Sequence, residues 1–251
     1  VVSNSIHIEE LKIEVEDIYW LEFRPNESGR QVIVRFSRDG SINDVTPPDF
    51  NVRTRVHEYG GGAYLVFNGI IYFSNYADQR IYRQVPGKIP EPLPTAGNFR
   101  YADFCMDELR QQLVCVREEH SETGSQVDNT LISIPLNGND PIQVLASGND
   151  LYSNQRLSPD CRQITWLTWN HPNMPWDGSE LWLSDLDPSG NIIQSQLVAG
   201  GQNESIFQPE WAPDGVLHFV SDRTGWWNLY RWKNEEIESL YESSAEFGLL
   251  Q

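Results

Sequence analysis

A short apolar strand recurs along this chain of 251 residues, and its spacing limits the folds that the chain can adopt. Turn residues precede the copies, among them Asn68-Gly69, and a second strand and a charged turn follow most of them. The copies lie at residues 32–34, 71–73, 113–115, 164–166 and 217–219, so that their first residues are 39, 42, 51 and 53 positions apart. A unit of about 40 to 50 residues with four short antiparallel strands is the blade of a β-propeller.

The repeat therefore predicts an all-β fold, a β-propeller built of four-stranded antiparallel blades. About five blades are present, in a single partial propeller domain that occupies residues 1–251. We expect the blades at residues 18–48, 60–97, 101–148, 151–201 and 205–244. Residues 246–251 are typical of the approach to another repeat, so an incomplete ring is predicted. Blade edges left open in this way favour self-association.

The net charge and the cysteine content limit which binding partners and which cellular compartment can be expected for this chain. The 36 acidic and 18 basic residues give a net charge of -18, which opposes binding to nucleic acid and to anionic lipid. No segment approaches the roughly 18 apolar residues that span a bilayer, and the first residues lack a secretory signal. Cys105, Cys115 and Cys161 are odd in number and too few for a disulfide scaffold, so we expect them to be reduced. A cytoplasmic protein without nucleic-acid or membrane partners is predicted.

The segment "RVHEYGGGAYLV", residues 55–66, raises three hypotheses: a phosphate-binding loop, half of a zinc site, or the entrance to a strand. A phosphate loop needs its glycines to follow a strand and open a helix, whereas here a strand and an Asn-Gly hairpin follow. A zinc helix needs a second histidine one turn after His57, and position 61 is glycine. The strand entrance is the remaining interpretation, and we predict neither a metal site nor a cofactor.

In a propeller, this motif places His57, Glu58 and Tyr59 on a loop at one face. The glycines before the inner strand would let the backbone pass close to the crowded central channel, where side chains from several blades converge. One interpretation is structural, with Glu58 accepting backbone amides and His57 satisfied by hydrogen bonds. The other is functional, with Glu58 or Tyr59 recognising the amine of a substrate.

A second candidate is the insert "TWNHPNMPWDGSELW", residues 168–182, which lengthens a hairpin well beyond a tight turn. His171, Trp176, Asp177 and Glu180 are its members best able to contact a ligand. The structural alternative is rigid packing by its prolines and Trp176. The two carboxylates also raise the hypothesis of a sugar-cleaving propeller, although no spacing rule supports it. The acidic stretch 117–129 is interpreted as a solvated rim.

Several segments together resemble the amino-terminal propeller of prolyl oligopeptidase family serine peptidases. The resemblance covers residues 16–251 and is closest to the acylaminoacyl-peptidase and dipeptidyl-aminopeptidase-like branch. It is carried most specifically by "RVHEYGGGAY" and "HPNMPWDG", and more weakly by "SDRTG". The chain departs from the family in Cys161, where glycine is usual, and in showing five blades where seven or more are typical.

The resemblance implies that the propeller caps a carboxy-terminal α/β-hydrolase domain of the same parent chain, which carries the Ser, Asp and His triad. No G-x-S-x-G motif occurs in these 251 residues, so we expect no catalytic residue here and no peptide hydrolysis by this chain alone. The implied role is a gate that admits short peptides to the active site. The alternative is a stand-alone propeller that binds or scaffolds a partner without peptidase activity.

Overall fold

The computed structural model describes residues 5–95, 97–121, 127–138 and 140–248, and it confirms the predicted β-propeller with five four-stranded blades. In every sheet the strands are ordered as they follow in the chain. Blade one contains β1 (His7–Glu14), β2 (Asp17–Arg24), β3 (Arg30–Phe36) and β4 (Ile42–Asp44), with a 3-10 turn at Pro25–Glu27. Blade two contains β5 (Tyr64–Phe67), β6 (Ile70–Ser74), β7 (Ile81–Gln84) and β8 (Glu91–Pro92).

The other three blades follow the same order. Blade three contains β9 (Phe99–Asp107), β10 (Gln112–His120), β11 (Val127–Pro135) and β12 (Gln143–Ala146). Blade four contains β13 (Leu151–Leu157), β14 (Gln163–Trp169), β15 (Glu180–Leu186) and β16 (Ile192–Gly200). Blade five contains β17 (Ile206–Trp211), β18 (Leu217–Ser221), β19 (Asn228–Lys233) and β20 (Glu236–Tyr241). Among the described residues, no helix is long and apolar enough to cross a membrane.

The predicted hairpin after the triple glycine is confirmed. Asn68 and Gly69 connect β5 to β6 with φ angles of 50° and 71°, the left-handed conformation that a two-residue turn between twisted strands requires. Tyr64 pairs with Phe73 and Phe67 with Ile70 across this hairpin. Asparagine and glycine tolerate a positive φ better than other residues, which is why this turn could be recognised in the sequence.

The chain divides into two compact units, Val1–Phe104 with Arg117–Val127, and Cys105–Val116 with Asp128–Gln251. In the first unit, blades one and two bury a common apolar core, which includes a stacked pair of rings, Phe73 and Tyr82, 5.7 Å apart. Burying each large apolar side chain contributes about 1.5–3 kcal/mol. The buried members are Tyr19, Leu21, Ile33, Val52, Ala63, Tyr64, Val66, Ile71 and Phe73.

The second unit has its own core, shared by blades four and five. Phe219 and Tyr230 stack at its centre, 5.9 Å apart, and Trp211 and Trp232 pack at its margin. Its buried members are Leu167, Leu181, Leu183, Val198, Ala199, Ile206, Leu217, Phe219 and Tyr230. Within each unit, a blade therefore buries its apolar face against the next blade, as propeller blades must.

Blade one begins earlier than the predicted residue 18, because β1 occupies His7–Glu14. As a result, the repeated segment 32–34 lies in the third strand of blade one, whereas its counterparts in the other four blades lie in the second strand. β1 mixes two isoleucines and a leucine with glutamate and lysine, and its apolar side chains are exposed, with Ile8 at 62% and Ile13 at 71%. A charged, exposed strand lacks the apolar run by which the other strands were recognised.

Candidate functional site

The loop before blade two is a tight, internally bonded turn. The amide of Glu58 donates to the carbonyl of Arg55 at 3.0 Å, and that of Gly60 donates to Val56 at 2.9 Å. His57 and Glu58 both have positive φ, 56° and 66°, a conformation that non-glycine residues rarely adopt and that must be held by surrounding contacts. The loop presents the side chains of Glu58 and Tyr59 to solvent, while that of His57 is partly buried.

The glycines that follow allow a close approach of two carboxylates. Asp103 Oδ1 accepts a hydrogen bond of 2.6 Å from the amide of Gly62, and a Cβ added at Gly62 would lie only 2.7 Å from that oxygen. The carboxylate of Glu10 accepts from the next amide, that of Ala63, with both oxygens 3.0 Å away. Burial raises the pKa of Glu10 to about 7, although the hydrogen bond from Ala63 opposes this shift. The backbone at Gly62 therefore passes close to Asp103 of β9, whereas the expected approach of the glycines to the central channel stays a prediction.

An ion-pair network secures the loop from blade three. Arg100 Nη1 lies 2.6 Å from Glu58 Oε1 and 3.1 Å from Glu118 Oε1, and it also donates to the carbonyl of Arg55 at 2.8 Å. The buried carboxylate of Glu118 accepts from the amide of His57 at 2.6 Å, and His120 Nε2 lies 2.6 Å from its other oxygen. We call these residues, His57, Glu58, Arg100, Glu118 and His120, the Arg100–Glu118 network.

The surroundings of Glu58 and His57 lower the pKa of both side chains. Arg100 lowers the pKa of Glu58, so this exposed carboxylate is charged at neutral pH. Burial lowers the pKa of His57, which favours its neutral form. Oxygen and nitrogen atoms of Glu58, Glu118 and His120 lie within 4.8 Å of one another, a grouping of metal-ligand types. The guanidinium of Arg100 already contacts both carboxylates and supplies the positive charge at that point, so the arrangement fits an ion pair better than a metal site.

The outcome differs in part from the structural interpretation of this motif. Glu58 was expected to accept backbone amides, but its carboxylate binds Arg100. The stretch 117–129 was expected to be a solvated rim, yet β10 extends to His120 and buries Glu118, while residues 122–126 lie outside the described residues. The sequence of β10 carries no signal for Glu118, because the five residues from Gln112 to Val116 are all buried and no period of two leads up to it. No local pattern marks Arg100.

The second candidate loop, residues 170–179, connects β14 to β15 within the second unit. His171 is 72% exposed, and its ring nitrogen Nδ1 and its amide both lie near Asp150 Oδ2, at 3.0 and 2.8 Å. The peptide bond between His171 and Pro172 is cis. A cavity of about 320 Å³ is lined by this part of the loop and by Glu180 and Gln202.

Asp177 of this loop and Glu180, the first residue of β15, both accept hydrogen bonds from residues close to them in the chain. Asp177 Oδ2 accepts from the amide of Met174 at 3.0 Å, and Glu180 Oε2 accepts from Trp182 Nε1 at 2.9 Å. The loop is further fixed by Ser205, whose hydroxyl donates to the carbonyl of Pro175. Trp176 remains half exposed, with 49% of its surface accessible. His171 and Trp176 are therefore two members of this loop that present accessible surface to a ligand.

Comparison with known proteins gives a consistent set of neighbours. No protein-family model and no curated protein matches the chain. Two solved structures of puromycin hydrolase, one of them a mutant complexed with PGG, are 34% identical to it, with TM-scores of 0.90 and 0.89 over 98% of this chain. A puromycin-hydrolyzing peptidase from Mycobacterium tuberculosis is 31% identical, with a TM-score of 0.85 over 95% of this chain.

These neighbours are much longer than the chain, which covers 39–41% of their length. A prolyl endopeptidase shares the fold at a TM-score of 0.65 but with only 11% identity, so it supports the architecture alone. The likeness to the puromycin-hydrolysing proteins therefore concerns one part of each of those molecules.

Proposed function

The chain matches the amino-terminal propeller of prolyl oligopeptidase family peptidases, and on this premise we propose that it is the propeller portion of a serine peptidase that hydrolyses short peptides. The observation that carries the proposal is the 34% identity and TM-score of 0.90 over 98% of the chain to puromycin hydrolase. Within the family we favour the acylaminoacyl-peptidase and dipeptidyl-aminopeptidase-like branch, and a cytoplasmic location.

In this proposal, peptide hydrolysis and the selection of peptides belong to different parts of the parent chain. The 251 residues contain no G-x-S-x-G motif, the strand-to-helix elbow that exposes a nucleophilic serine in α/β-hydrolases. We assign the nucleophile to a hydrolase domain of the same parent chain, and to the propeller the role of limiting which peptides reach it. A rigid sheet scaffold that carries its binding residues on loops suits this role.

Among the loop residues, Glu58 is the best candidate for contact with a substrate amine. Its exposed carboxylate is charged, and Arg100 binds only its Oε1, which leaves Oε2 available to an ammonium group. Tyr59 is 63% exposed beside it, and His57 supports its ring at a centroid distance of 5.7 Å. In the second loop, we assign ligand contact to His171 and Trp176, with Asp177 and Glu180 as positioning residues.

A gating role is tested by comparing two proteins, the complete parent enzyme and its hydrolase portion without residues 1–251. Both are assayed with an aminoacyl nitroanilide and with a peptide of about thirty residues. We expect the complete enzyme to cleave the short substrate far better than the long one, and removal of the propeller to reduce this preference. An unchanged preference would contradict the gate. A parent gene without any hydrolase portion would instead favour the stand-alone binding protein.

A further inference from the structure

A polar pocket of about 410 Å³ opens beside the Arg100–Glu118 network, entirely within the first unit. Its volume lies in the range of about 300–1,000 Å³ that small-molecule sites occupy. The loop before blade two, the turn between β6 and β7, the start of β9 and the end of β10 all contribute to it. The side chains that matter for binding are Arg55, Asp78, Asn98, Phe99, Arg100 and His120.

We infer that this pocket binds the free carboxylate at the carboxyl terminus of a short peptide, with Arg55 and Arg100 as its ligands. That the natural ligand is a peptide rests on the proposed function, whereas the carboxylate preference follows from the pocket itself. A single arginine can bind a carboxylate through two parallel N–H···O bonds, and a second arginine adds a further charge-assisted contact.

Arg55 supplies a positive charge that has no acidic contact among the described residues. Its guanidinium lies over the ring of Tyr76, 5.4 Å from the centroid, and it forms no ion pair with any residue that the structure describes. The chain has two acidic residues for every basic one, so an arginine without a carboxylate partner is unexpected. An exposed guanidinium that lines a pocket and has no ion-pair contact with a described residue favours an anionic ligand.

Arg100 uses only one of its guanidinium nitrogens, Nη1, for contacts with the described residues. All its contacts with protein oxygens, to Glu58, Glu118 and the carbonyl of Arg55, are made through Nη1. Across the described parts of the chain, Nε and Nη2 have no hydrogen-bond partner. The network therefore fixes the orientation of Arg100, and the pair of donors that remains can bind a carboxylate without breaking it.

The remaining lining residues do not compete for these cations. The carboxylate of Asp78 accepts hydrogen bonds from Tyr82 Oη at 2.7 Å and from Asn75 Nδ2 at 3.0 Å, and among the described residues it forms no ion pair with either arginine. Phe99 adds an aromatic wall, with the guanidinium of Arg117 5.1 Å from its centroid. We therefore expect the terminal carboxylate to bind the two arginines and the last side chain of the peptide to lie against Phe99.

The test measures binding without hydrolysis, by calorimetric titration of the 251-residue chain. The probes are acetyl-Gly-Gly-Phe with a free carboxylate and the same tripeptide as its carboxyl-terminal amide, both with a blocked amine so that Glu58 is not involved. We expect the acid to bind at least about tenfold more tightly than the amide, since a charge-assisted hydrogen bond is lost in the amide. Equal binding of the two peptides, or binding of neither, would overturn the inference.

Two variants provide a matched comparison. Arg55→Gln should abolish the preference for the acid. The control is Arg53→Gln. The guanidinium of Arg53 also lies over the ring of Tyr76, 5.2 Å from its centroid, but Arg53 does not line the pocket. This variant loses the same charge and should keep the preference for the acid. Equal losses in both variants would indicate long-range attraction and overturn the site. The inference would also be overturned if inorganic phosphate bound as tightly as the peptide acid. These outcomes are independent of the peptidase assay, so either proposal can fail alone.

Discussion

The buried carboxylate of Glu118 accepts a hydrogen bond of 2.6 Å from the backbone nitrogen of His57, although 61 positions separate the two residues. This contact joins the end of β10 to the loop before blade two. It also explains how His57 and Glu58 can hold positive φ angles, because the carboxylate fixes the peptide that enters the strained segment. The exposed position of Glu58 thus depends on a residue of another blade.

We predict that Glu118→Gln destabilises the chain by about 3 kcal/mol, since it leaves the half-buried Arg100 and His120 without their shared carboxylate. Urea unfolding followed by circular dichroism measures the change. The matched control is Glu119→Gln, an exposed neighbour whose contact with Arg117 is 3.6 Å long and should contribute at most about 1 kcal/mol. Equal effects of the two substitutions would refute the role of Glu118.

Gly62→Ala should destabilise the fold by about 1–3 kcal/mol, because the new methyl group would collide with Asp103 Oδ1. A double-mutant cycle with Asp103→Ala separates this collision from any other effect of alanine. We expect Gly62→Ala to cost clearly less in the Asp103→Ala background than in the wild type. The same cost in both backgrounds would show that the carboxylate is not what requires glycine.

The pKa of Glu10, raised to about 7 in the folded chain from an ordinary value of 4.5, predicts a pH dependence of stability. Between these values the folded state binds more protons than the unfolded state, so the free energy of unfolding falls as pH rises from 4.5 to 7. Below 4.5 the carboxyl is protonated in both states and the penalty is absent. We expect Glu10→Gln to remove this part of the pH dependence, up to about 3 kcal/mol.

The measurement is urea unfolding at pH 5 and pH 7.5 for the wild type and Glu10→Gln. Glu9→Gln, at the exposed neighbouring position, serves as the control and should keep the wild-type difference between the two pH values. If Glu10→Gln kept that difference as well, Glu10 would not be its source.

The exposed apolar side chains of β1 predict self-association through this strand. Replacing Ile8 and Ile13 together by serine should shift the chain toward monomer in analytical ultracentrifugation, because large exposed apolar patches drive association. Ile89→Ser is the control, since this equally exposed isoleucine lies outside the strands. If the control reduced association as much as the double variant, β1 would not be the contact.

The parts of the fold that depend on local chemistry could be predicted from the sequence, and those that depend on distant partners could not. The turn at Asn68 and Gly69 and the strand after Gly62 follow from residue types within a few positions. The requirement for glycine at position 62 was predicted, but its partner Asp103 was not, since 41 positions separate them. Arg100 and Glu118 could not be predicted, because their contacts with Glu58 and His57 span 42 and 61 positions and leave no periodic signal in β9 or β10.

We propose that these 251 residues belong to a serine peptidase whose nucleophile lies outside them. The most direct measurement is labelling with a fluorophosphonate probe, followed by mass spectrometry of the modified serine, applied to this chain and to the complete parent protein. The account predicts no labelled serine within residues 1–251 and one labelled serine, within a G-x-S-x-G motif, elsewhere in the parent. A specifically labelled serine in this chain, or a parent protein that the probe does not label, would contradict it.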